Sequence, residues 1–409
     1  MRLLFLNRVY PPADGATGHL LGCLANGLAS AGHDVTVITS RLSPADAPSE
    51  IRDGVRVERV SVLPFTRSSH IKRTLGYLSV YPALLWRALR LPRADIVITM
   101  TDPPLTLVLG PVLKLVKRSR LLHWAQDIYP ELAEQLGVLG PNKFPAKLLR
   151  FFSTAALRRH DHIITVGRCM CSRLLTRGID PARMSVIPNW SLPLPPEDAA
   201  GDTLSFRIEH RLLDKFLVIY SGNFGIAHPF EAIIQAAELL QARQPKVVFL
   251  MIGGGPRLSE VKQAGARLDN IRFLPFQPRE KLGQSLRAAD VHLASMREDL
   301  CGLVVPSKVY GVLAAGRPCI FLGPPDSEAA LLLRENHCGL VLPSRDGHAL
   351  ASSVLRLFEN PAELGEMREN ARRLSQNLAF SPALESFQKL FRSGPADSSP
   401  MPKPASIRG

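Results

Sequence analysis

The chain has 409 residues, of which 46% are hydrophobic and 21% are charged, a composition that excludes a largely disordered protein. Its six cysteines include no C-x-x-C pair, so neither a zinc site nor a disulfide framework is expected. The formal net charge of +14 is uneven: Lys and Arg outnumber Asp and Glu by 25 to 13 over residues 1–190 and by 25 to 23 thereafter. The length predicts two domains, and the basic first half indicates an anionic partner, such as a membrane surface, a nucleic acid or a phosphorylated substrate.

Short apolar runs alternate with helical patterns along the first half. The predicted strands are Arg2–Asn7, Asp34–Thr39, Ile96–Met100, Leu121–Ala125, His162–Val166 and Met184–Ile187. The predicted helices are Gly18–Ala31, Glu131–Leu136, Lys147–Arg159 and Cys169–Arg177. This alternation predicts a mainly parallel sheet covered by helices. The apolar run 96–116 is interrupted by prolines and charges, so we expect a strand, a loop and a buried helix there instead of a membrane span.

A proline-rich stretch over residues 188–202 breaks the pattern and indicates a linker. The alternation then restarts, and the last helical pattern, Glu363–Phe391, is broken near Ser381 and Pro382. The predicted strands of this half are Phe216–Ser221, Val247–Gly253, Ile271–Leu274, Val291–Ser295, Cys319–Leu322 and Gly339–Leu342.

Periodicity therefore predicts an α/β protein with two Rossmann-like parallel-sheet domains. We place an N-terminal domain at residues 1–190, a linker at 191–213 and a C-terminal domain at 214–375. A helix at 376–393 can return to the N-terminal domain, and the Pro/Ser-rich tail at 394–409 is expected to be disordered. Because such sheets bind ligands at the carboxyl ends of their strands, we expect the active site in a cleft between the domains.

Two glycine-rich turns follow predicted strands in the second domain, YSGNFG at 220–225 and MIGGGP at 251–256. The backbone N–H groups around Gly222 can face an anion. Three consecutive glycines usually mark a close approach of the backbone to another backbone or to a ligand. An ordinary tight turn is the alternative for each.

A lysine stands at the start of a predicted helix, where Pro306 and Ser307 precede Lys308. A cation in the first turn of a helix is unfavourable with respect to the helix dipole. It becomes favourable if a phosphate lies over that terminus, and a solvated lysine is the alternative.

The first domain offers a glycine loop and a polar cluster. Gly15 and Gly18 form a G-x-x-G that lacks the complete dinucleotide spacing, and no acidic residue follows the second strand, which argues against NAD. His123, Asp127 and Glu131 follow a strand and are expected to lie close together, although each could be a helix cap or a surface residue. The sequence contains no D-x-D, and no metal site or cofactor is predicted.

Taken in order, these segments resemble the family 4 glycosyltransferases. The C-terminal half carries SGNFG, MIGGGP, FLPFQPREKL, ADVHLASM, GLVVPSKVYGVLAAGRP and CGLVLPSRDGHAL. The first half carries LNRVYPPADGATGHL, HWAQDIYPELAEQLGVL and SVIPNW, which look like the branch of colanic-acid and O-antigen synthesis. The resemblance spans roughly residues 1–375. It implies the GT-B fold, a UDP- or GDP-linked sugar donor, transfer without a metal and retention of anomeric configuration.

The resemblance also implies roles for individual residues. Near the donor diphosphate it places Gly222, Asn223 and Phe224; bordering the nucleobase, Gly253, Gly254, Phe276 and Gln277; at the ribose and phosphates, Ser307 and Lys308; facing the transferred sugar, His123 and Asp127; and near the reaction centre, Gly15 and Gly18.

Two departures from the family pattern concern acidic and basic residues. Much of the family carries two glutamates eight positions apart; here the second falls at Gly311, and the first is at best Glu298 or Asp299. The usual Arg/Lys pair after the glycine loop is also missing. We therefore expect Ser307 and Lys308 to replace that pair, with Lys308 neutralising the charge of the leaving diphosphate.

Two basic amphipathic segments, Arg67–Arg93 and Lys143–Arg159, suit an anionic membrane leaflet, and core-facing helices with a solvated basic face are the alternative. With the lipid-pyrophosphate-linked saccharide acceptor that the resemblance implies, they predict a cytoplasmic enzyme at the inner face of the membrane. A GT-B nucleotide-sugar epimerase is the alternative enzyme. A non-catalytic protein that binds nucleic acid or membranes is the alternative of another class, although no nucleic-acid-binding motif is present.

Overall fold

The computed structural model describes residues 1–13, 15–63, 70–140, 143–191, 194 and 200–393, with backbone alone at 70–74, 200–202 and 279. Two compact units make up the chain. The N-terminal unit comprises Met1–Pro188, Gly302–Val304 and the residues from Phe380 onward, and the C-terminal unit comprises Asn189–Cys301 and Val305–Ala379. The predicted tail at 394–409 lies outside the described residues.

The N-terminal unit is built around an eight-stranded sheet in the order β3-β4-β2-β1-β5-β6-β7-β8. Its strands are β1 (Arg2–Leu6), β2 (Asp34–Ser40), β3 (Ser49–Arg52), β4 (Val55–Val60), β5 (Ile96–Thr99), β6 (Arg120–Ala125), β7 (His162–Thr165) and β8 (Met184–Val186). All neighbours are parallel except β3 and β4. The central strands β1 and β5 are nearly continuous apolar runs because helices cover both faces of the sheet.

The helices of this unit are α1 (Ala16–Ser30), α2 (His70–Arg90), α3 (Gly110–Lys117), α4 (Glu131–Gln135), α5 (Phe144–Leu157) and α6 (Arg168–Leu175). The predicted mainly parallel sheet is confirmed. The hairpin of β3 and β4 was missed by the sequence analysis, although Asp53 and Gly54 between the two strands have the positive φ angles, 49° and 80°, of a tight hairpin turn.

The C-terminal unit contains a six-stranded, fully parallel sheet in the order β11-β10-β9-β12-β13-β14. Its strands are β9 (Phe216–Asn223), β10 (Val247–Gly254), β11 (Ile271–Leu274), β12 (Val291–Ser295), β13 (Cys319–Leu322) and β14 (Gly339–Leu342). Its helices are α7 (Ala200–Glu209), α8 (Glu231–Arg243), α9 (Leu258–Ala264), α10 (Arg279–Arg287), α11 (Lys308–Ala314), α12 (Glu328–Glu335), α13 (Gly347–Glu359) and α14 (Pro361–Asn377). All six strands lie where the sequence predicts them.

The stretch predicted as a linker differs from that expectation over its second half. Helix α7 occupies residues 200–209, and Phe206 and Leu212 are buried with β9 and β10 in one apolar cluster. Arg207 donates to the carboxylate of Asp290 at 2.8 Å and fixes the helix to the same unit. These residues therefore belong to the core of the C-terminal unit.

A last helix, α15 (Phe380–Arg392), is part of the N-terminal unit. The ring of Phe387 lies edge-on to Trp124 of β6 at 5.0 Å between centroids. Phe380 packs against α1 at Gly27, where a Cβ would lie 2.5 Å from the ring. Arg120 donates to the carbonyl oxygens of Leu390 and Ser393 at 2.9 and 2.8 Å. Apolar packing and hydrogen bonds thus tie this helix to the sheet.

Candidate active site

The last residues of β9, from which the glycine turn begins, are held against β10 by close backbone contacts within the C-terminal unit. Gly222 has φ +141° and Gly253 has φ +138°, a region that side chains rarely allow. A Cβ on Gly253 would lie 2.0 Å from the carbonyl oxygen of Gly222. The glycines predicted from the MIGGGP motif therefore let β10 approach β9, the backbone-to-backbone alternative of the sequence analysis.

Lys308, the first residue of α11, lies directly on this turn. A Cβ on Gly222 would be 2.5 Å from Cε of Lys308, so the glycine leaves the space that the lysine occupies. The ammonium group donates to the hydroxyl of Tyr220 and, at 3.3 Å, to the carbonyl oxygen of Asn223. Burial lowers the pKa of Lys308 to about 7. The predicted meeting of Gly222, Asn223 and Lys308 is present in the structure.

The other residues of these two motifs divide between surface and core. Ser307 and Asn223 are exposed beside Lys308. Phe224 is fully buried and stacks on Phe230 with 5.0 Å between ring centroids. The side chain of Phe224, a residue that the resemblance places near the donor diphosphate, is thus part of the core, because an aromatic ring after the strand completes an apolar cluster.

Phe276 presents an exposed aromatic ring beside Gly254. Its side chain is 60% exposed, and a Cβ on Gly254 would lie 3.1 Å from it. Gln277 is half-buried, and its side-chain amide donates to the carbonyl oxygen of Pro275 at 3.1 Å. The structure thus brings three of the four residues predicted to border the nucleobase, Gly254, Phe276 and Gln277, to one loop region.

Glu298 and Asp299 form a short 3-10 turn with Leu300, yet they have different partners. Asp299 forms an ion pair with Arg297 at 2.5 Å. Glu298 accepts a hydrogen bond from the backbone N–H of Ser344 at 3.4 Å. Both border a cavity of about 600 Å³ that extends to Pro229 and Asp346. Among the described residues no ion pair involves Glu298, whose carboxylate can therefore accept a further hydrogen bond from a ligand hydroxyl.

In the N-terminal unit, Gly15 and Gly18 serve the packing of α1. A Cβ on Gly15 would lie 2.9 Å from the side chain of Val9, and one on Gly18 would lie 3.0 Å from its carbonyl oxygen. The backbone of Gly15 is extended, with φ 169°, so close approach and not backbone conformation selects glycine there. These glycines bring the start of α1 against the loop after β1.

His123 lies within β6 and faces the core. Its side chain is 2% exposed, and its Nδ1 donates to the carbonyl oxygen of Thr99 at 3.0 Å. The hydroxyl of Thr99 also meets Nε2 of His160 at 3.2 Å. Burial, with a smaller effect of His160, lowers the pKa of His123 to about 3, and burial lowers that of His160 to about 4. Both rings are therefore neutral at pH 7, and His123 occupies a buried polar cluster instead of the exposed end of its strand.

Asp127 lies beyond the end of β6, where the chain turns. It is half-buried, and burial together with the negative charge of Asp102 raises its pKa to about 7. Asp102 follows β5 and is held by Arg8, which donates to it at 2.6 and 3.0 Å. The sequence analysis missed Arg8 and Asp102, although each comes shortly after a predicted strand, where parallel sheets gather functional side chains.

Helices α2 and α5 expose the apolar side chains expected of the two basic segments. Leu78 and Trp86 on α2 are 56% and 53% exposed, and Phe144 and Phe151 on α5 are 76% and 66% exposed. An apolar groove of about 610 Å³ lies beside them, and its walls include Leu78, Tyr81, Val108, Leu149, Phe152 and Arg159. Residues 67–69 of the first segment lie outside the described residues. None of the described helices is both long and apolar enough to cross a bilayer.

Within the part of the chain that the structure describes, no three His, Cys, Asp or Glu side chains come together as metal ligands. The ammonium nitrogen of Lys308 lies beside the glycine turn, 3.4 Å from the position that a Cβ on Gly222 would take.

Comparison with known families gives two matches in the order of the two units. The Glycosyl transferase 4-like domain family matches residues 16–190, and the Glycosyl transferases group 1 family matches residues 215–360. Among proteins, the chain is 27% identical over 328 residues to WbjE of Pseudomonas aeruginosa, named a probable glycosyltransferase, which covers 78% of this chain and 80% of WbjE. It is also 27% identical over 344 residues to WcaI of Escherichia coli (strain K12), named as a candidate colanic acid biosynthesis glycosyl transferase, covering 77% and 82% of the two chains.

Solved structures show the same fold at low identity. Sucrose-phosphate synthase from Thermosynechococcus elongatus has a TM-score of 0.74 at 19% identity, over 96% of this chain and 98% of that one. HepE from Anabaena, in complex with UDP and glucose, has a TM-score of 0.71 at 16% identity, over 96% and 100%. The predicted GT-B fold is confirmed. With both domain families present in order, the chain belongs to the family 4 glycosyltransferases and is an enzyme of the type that takes part in polysaccharide biosynthesis.

Proposed function

We propose that this enzyme transfers a sugar from a nucleotide diphosphate sugar to a saccharide carried on a lipid pyrophosphate, with retention of anomeric configuration. The observation that carries the donor half is the contact of Lys308 with the Gly222 turn. The solved structures of HepE contain UDP or UDP-glucose, which favours a uridine donor by analogy, and a GDP-linked sugar is the alternative.

In this proposal Lys308 stabilises the leaving group. The bond between the anomeric carbon and the β-phosphate oxygen breaks, and negative charge grows on the departing diphosphate. An ammonium group beside a glycine turn can neutralise that charge where a divalent cation would otherwise be needed. The acceptor hydroxyl oxygen bonds to the anomeric carbon on the same face, and its proton passes to the departing phosphate. Transfer is thus proposed to need no metal.

Two exposed features of the C-terminal unit suit the rest of the donor. The open ring of Phe276 beside Gly254 can stack on a planar nucleobase. Glu298, which borders the cavity of about 600 Å³, can accept hydrogen bonds from sugar hydroxyls. We propose that these two residues bind opposite ends of the nucleotide sugar.

In the N-terminal unit we assign the contact with the sugar or the acceptor to Asp127. Its carboxyl group lies beyond the strand end, and its pKa of about 7 lets it both donate and accept hydrogen bonds near neutral pH. His123 is a poorer candidate, since its ring is 2% exposed and hydrogen-bonded inside the core.

Calorimetric titration with UDP, UDP-glucose, GDP and GDP-mannose tests the donor half. We expect the protein to bind either the uridine or the guanosine nucleotides, and Lys308→Ala to weaken that binding at least tenfold. Lys281→Ala, which removes an exposed lysine on α10, serves as the control and should bind like the native protein. Equal binding by the native protein and Lys308→Ala would overturn the role of the turn.

The acceptor half of the proposal rests on α2 and α5. Lys147 on α5 and Arg159 just after it stand beside the exposed apolar side chains of that helix, the composition that binds anionic lipid surfaces. The apolar groove beside them is a candidate site for the hydrocarbon chain of a lipid-linked acceptor. We therefore propose that the enzyme works as a peripheral protein at the cytoplasmic face of the membrane.

Flotation with vesicles tests this association. Phosphatidylglycerol-containing vesicles should carry the protein upward, and pure phosphatidylcholine vesicles should not. Phe151→Asp should reduce recovery several-fold, while Ile51→Asp, at a 75% exposed position of β3, should not. Equal recovery with both lipids would contradict the proposal.

The alternatives of the sequence analysis make different predictions. A nucleotide-sugar epimerase would release free nucleotide and hexosamine without any acceptor, so product analysis with and without lipid-linked saccharide separates it from a transferase. Membership of the glycosyltransferases removes the non-catalytic alternative.

A further inference from the structure

We propose that Tyr220 is a positioning residue: its buried hydroxyl holds the ammonium group of Lys308 against the glycine turn and keeps that group charged for the donor phosphates. The inference rests on the proposed role of Lys308. It adds a residue to which neither the sequence pattern nor the resemblance gave a role.

The ring of Tyr220 is fixed by its surroundings. The side chain is 0% exposed on β9, with Phe224 and Phe230 edge-on to it at 5.3 and 5.1 Å between centroids. A ring packed in this way cannot follow a mobile lysine, so the hydroxyl is a fixed point to which the ammonium group is drawn.

The hydrogen bonds give the hydroxyl a defined direction. It donates its single proton to the carbonyl oxygen of Asn223 at 2.7 Å. Its lone pairs are then free to accept from Lys308, which also donates to the same carbonyl oxygen at 3.3 Å. Tyr220 therefore acts on Lys308 as an acceptor, and the proton of the pair stays on the lysine.

Within the described residues, no ion pair involves Lys308. Its charged form depends on neutral acceptors, of which the hydroxyl of Tyr220 and the carbonyl of Asn223 are the two in contact. Burial already lowers the pKa of Lys308 to about 7, so the balance between ammonium and neutral amine responds to small changes in its surroundings near neutral pH. Loss of one acceptor should move this balance toward the neutral amine.

The test measures the pKa of Lys308 directly, by NMR titration of protein with labelled lysine side chains and no nucleotide. Lys308→Arg identifies the signal by removing it. Tyr220→Phe keeps the ring, and we expect it to lower the pKa of Lys308 by about one pH unit, the size of one hydrogen bond to a charged group. Tyr310→Phe removes a different buried hydroxyl in the same unit and should leave the pKa of Lys308 unchanged. An unchanged pKa in Tyr220→Phe would overturn the inference.

UDP binding at pH 5.5 and pH 8.5 gives the second readout. Tyr220→Phe should bind like the native protein at the lower pH and about tenfold more weakly at the higher one. In a Lys308→Arg background, where the charge cannot be lost, Tyr220→Phe should cause no pH-dependent loss; the same loss there would reduce Tyr220 to a packing residue and overturn the inference.

The two proposals fail separately. If Lys308→Ala binds UDP as well as the native protein, the donor proposal fails, while the NMR titration still decides the link between Tyr220 and Lys308. If Tyr220→Phe does not fold, incorporation of 3-fluorotyrosine weakens the hydroxyl as an acceptor without deleting it. A lower pKa of Lys308 in the fluorinated protein supports the inference, and an unchanged pKa overturns it.

Discussion

The sequence predicts functional residues at the ends of both β6 and β9, yet the two strand ends present them differently. At β6, His123 is inside the strand and its ring is in the core, while Asp127 lies beyond the strand end. At β9, Gly222 leaves the backbone uncovered by a side chain, and the side chain of Lys308 lies against it. In a parallel sheet with helices on both faces, residues within a strand are buried on either side. Access to a ligand is therefore decided by position relative to the strand end more than by residue type.

Lys308→Ala should have the largest effect on the transfer rate, and it tests the accessible strand end at β9. Loss of one preorganised charge at a leaving group typically costs about 2.7–4 kcal/mol of barrier, or roughly 10²–10³ in kcat. Steady-state transfer assays with Lys281→Ala as control measure it. A kcat within a few-fold of the native value would place the chemistry elsewhere.

Gly253→Ala should destabilise the C-terminal unit by about 2–4 kcal/mol, because the new Cβ meets the carbonyl oxygen of Gly222 at an unfavourable backbone angle. Gly365→Ala is the matched control: nothing lies within 4 Å of its Cβ position in α14, and alanine should raise the free energy of unfolding by about 0.5–1 kcal/mol. Urea unfolding of both variants measures the difference. Equal stabilities would mean that the two strands can separate without cost.

His123→Gln tests the buried position within β6. Breaking the buried hydrogen bonds with Thr99 should lower the free energy of unfolding by about 1–3 kcal/mol, and kcat per folded molecule should change less than in Lys308→Ala. The opposite pattern, native stability with a tenfold or larger loss of kcat, would restore the catalytic role predicted from the sequence.

The smallest expected effect is on how the free energy of unfolding depends on pH, and it tests whether the histidines buried around β6 are held neutral. The folded-state pKa of His160, about 4, lies below its ordinary value of 6.5, so the unfolded chain takes up the proton first as the pH falls. This contribution is complete above pH 6.5 and is lost progressively toward pH 4, at up to about 1.4 kcal/mol per pH unit. Urea unfolding between pH 7 and pH 4.5 should show a shallower slope for His160→Gln than for His337→Gln, an exposed control. Identical slopes would show that His160 is not held neutral.

Much of the fold could be predicted from the sequence because buried strands are contiguous apolar runs that end at glycine and polar residues. The hairpin of β3 and β4 escaped because charged residues interrupt both of its short strands, SEIR and VRVERV, so that no contiguous apolar run marks either strand. The resemblance placed Lys308 and Gly222 around the same donor phosphates, and the structure brings the two residues into contact. The burial of Phe224 could not be predicted, since one further residue along a turn decides whether a ring enters the core or faces solvent.

The placement of α15 has a consequence for synthesis. Helix α15 packs against Trp124 and Gly27 of the N-terminal unit, yet its residues leave the ribosome after the C-terminal sheet. The N-terminal unit therefore waits, incompletely covered, while nearly two hundred residues of another unit are translated. Nascent chains of this enzyme should be clients of chaperones through most of their elongation, and a premature stop before Phe380 should yield an insoluble product.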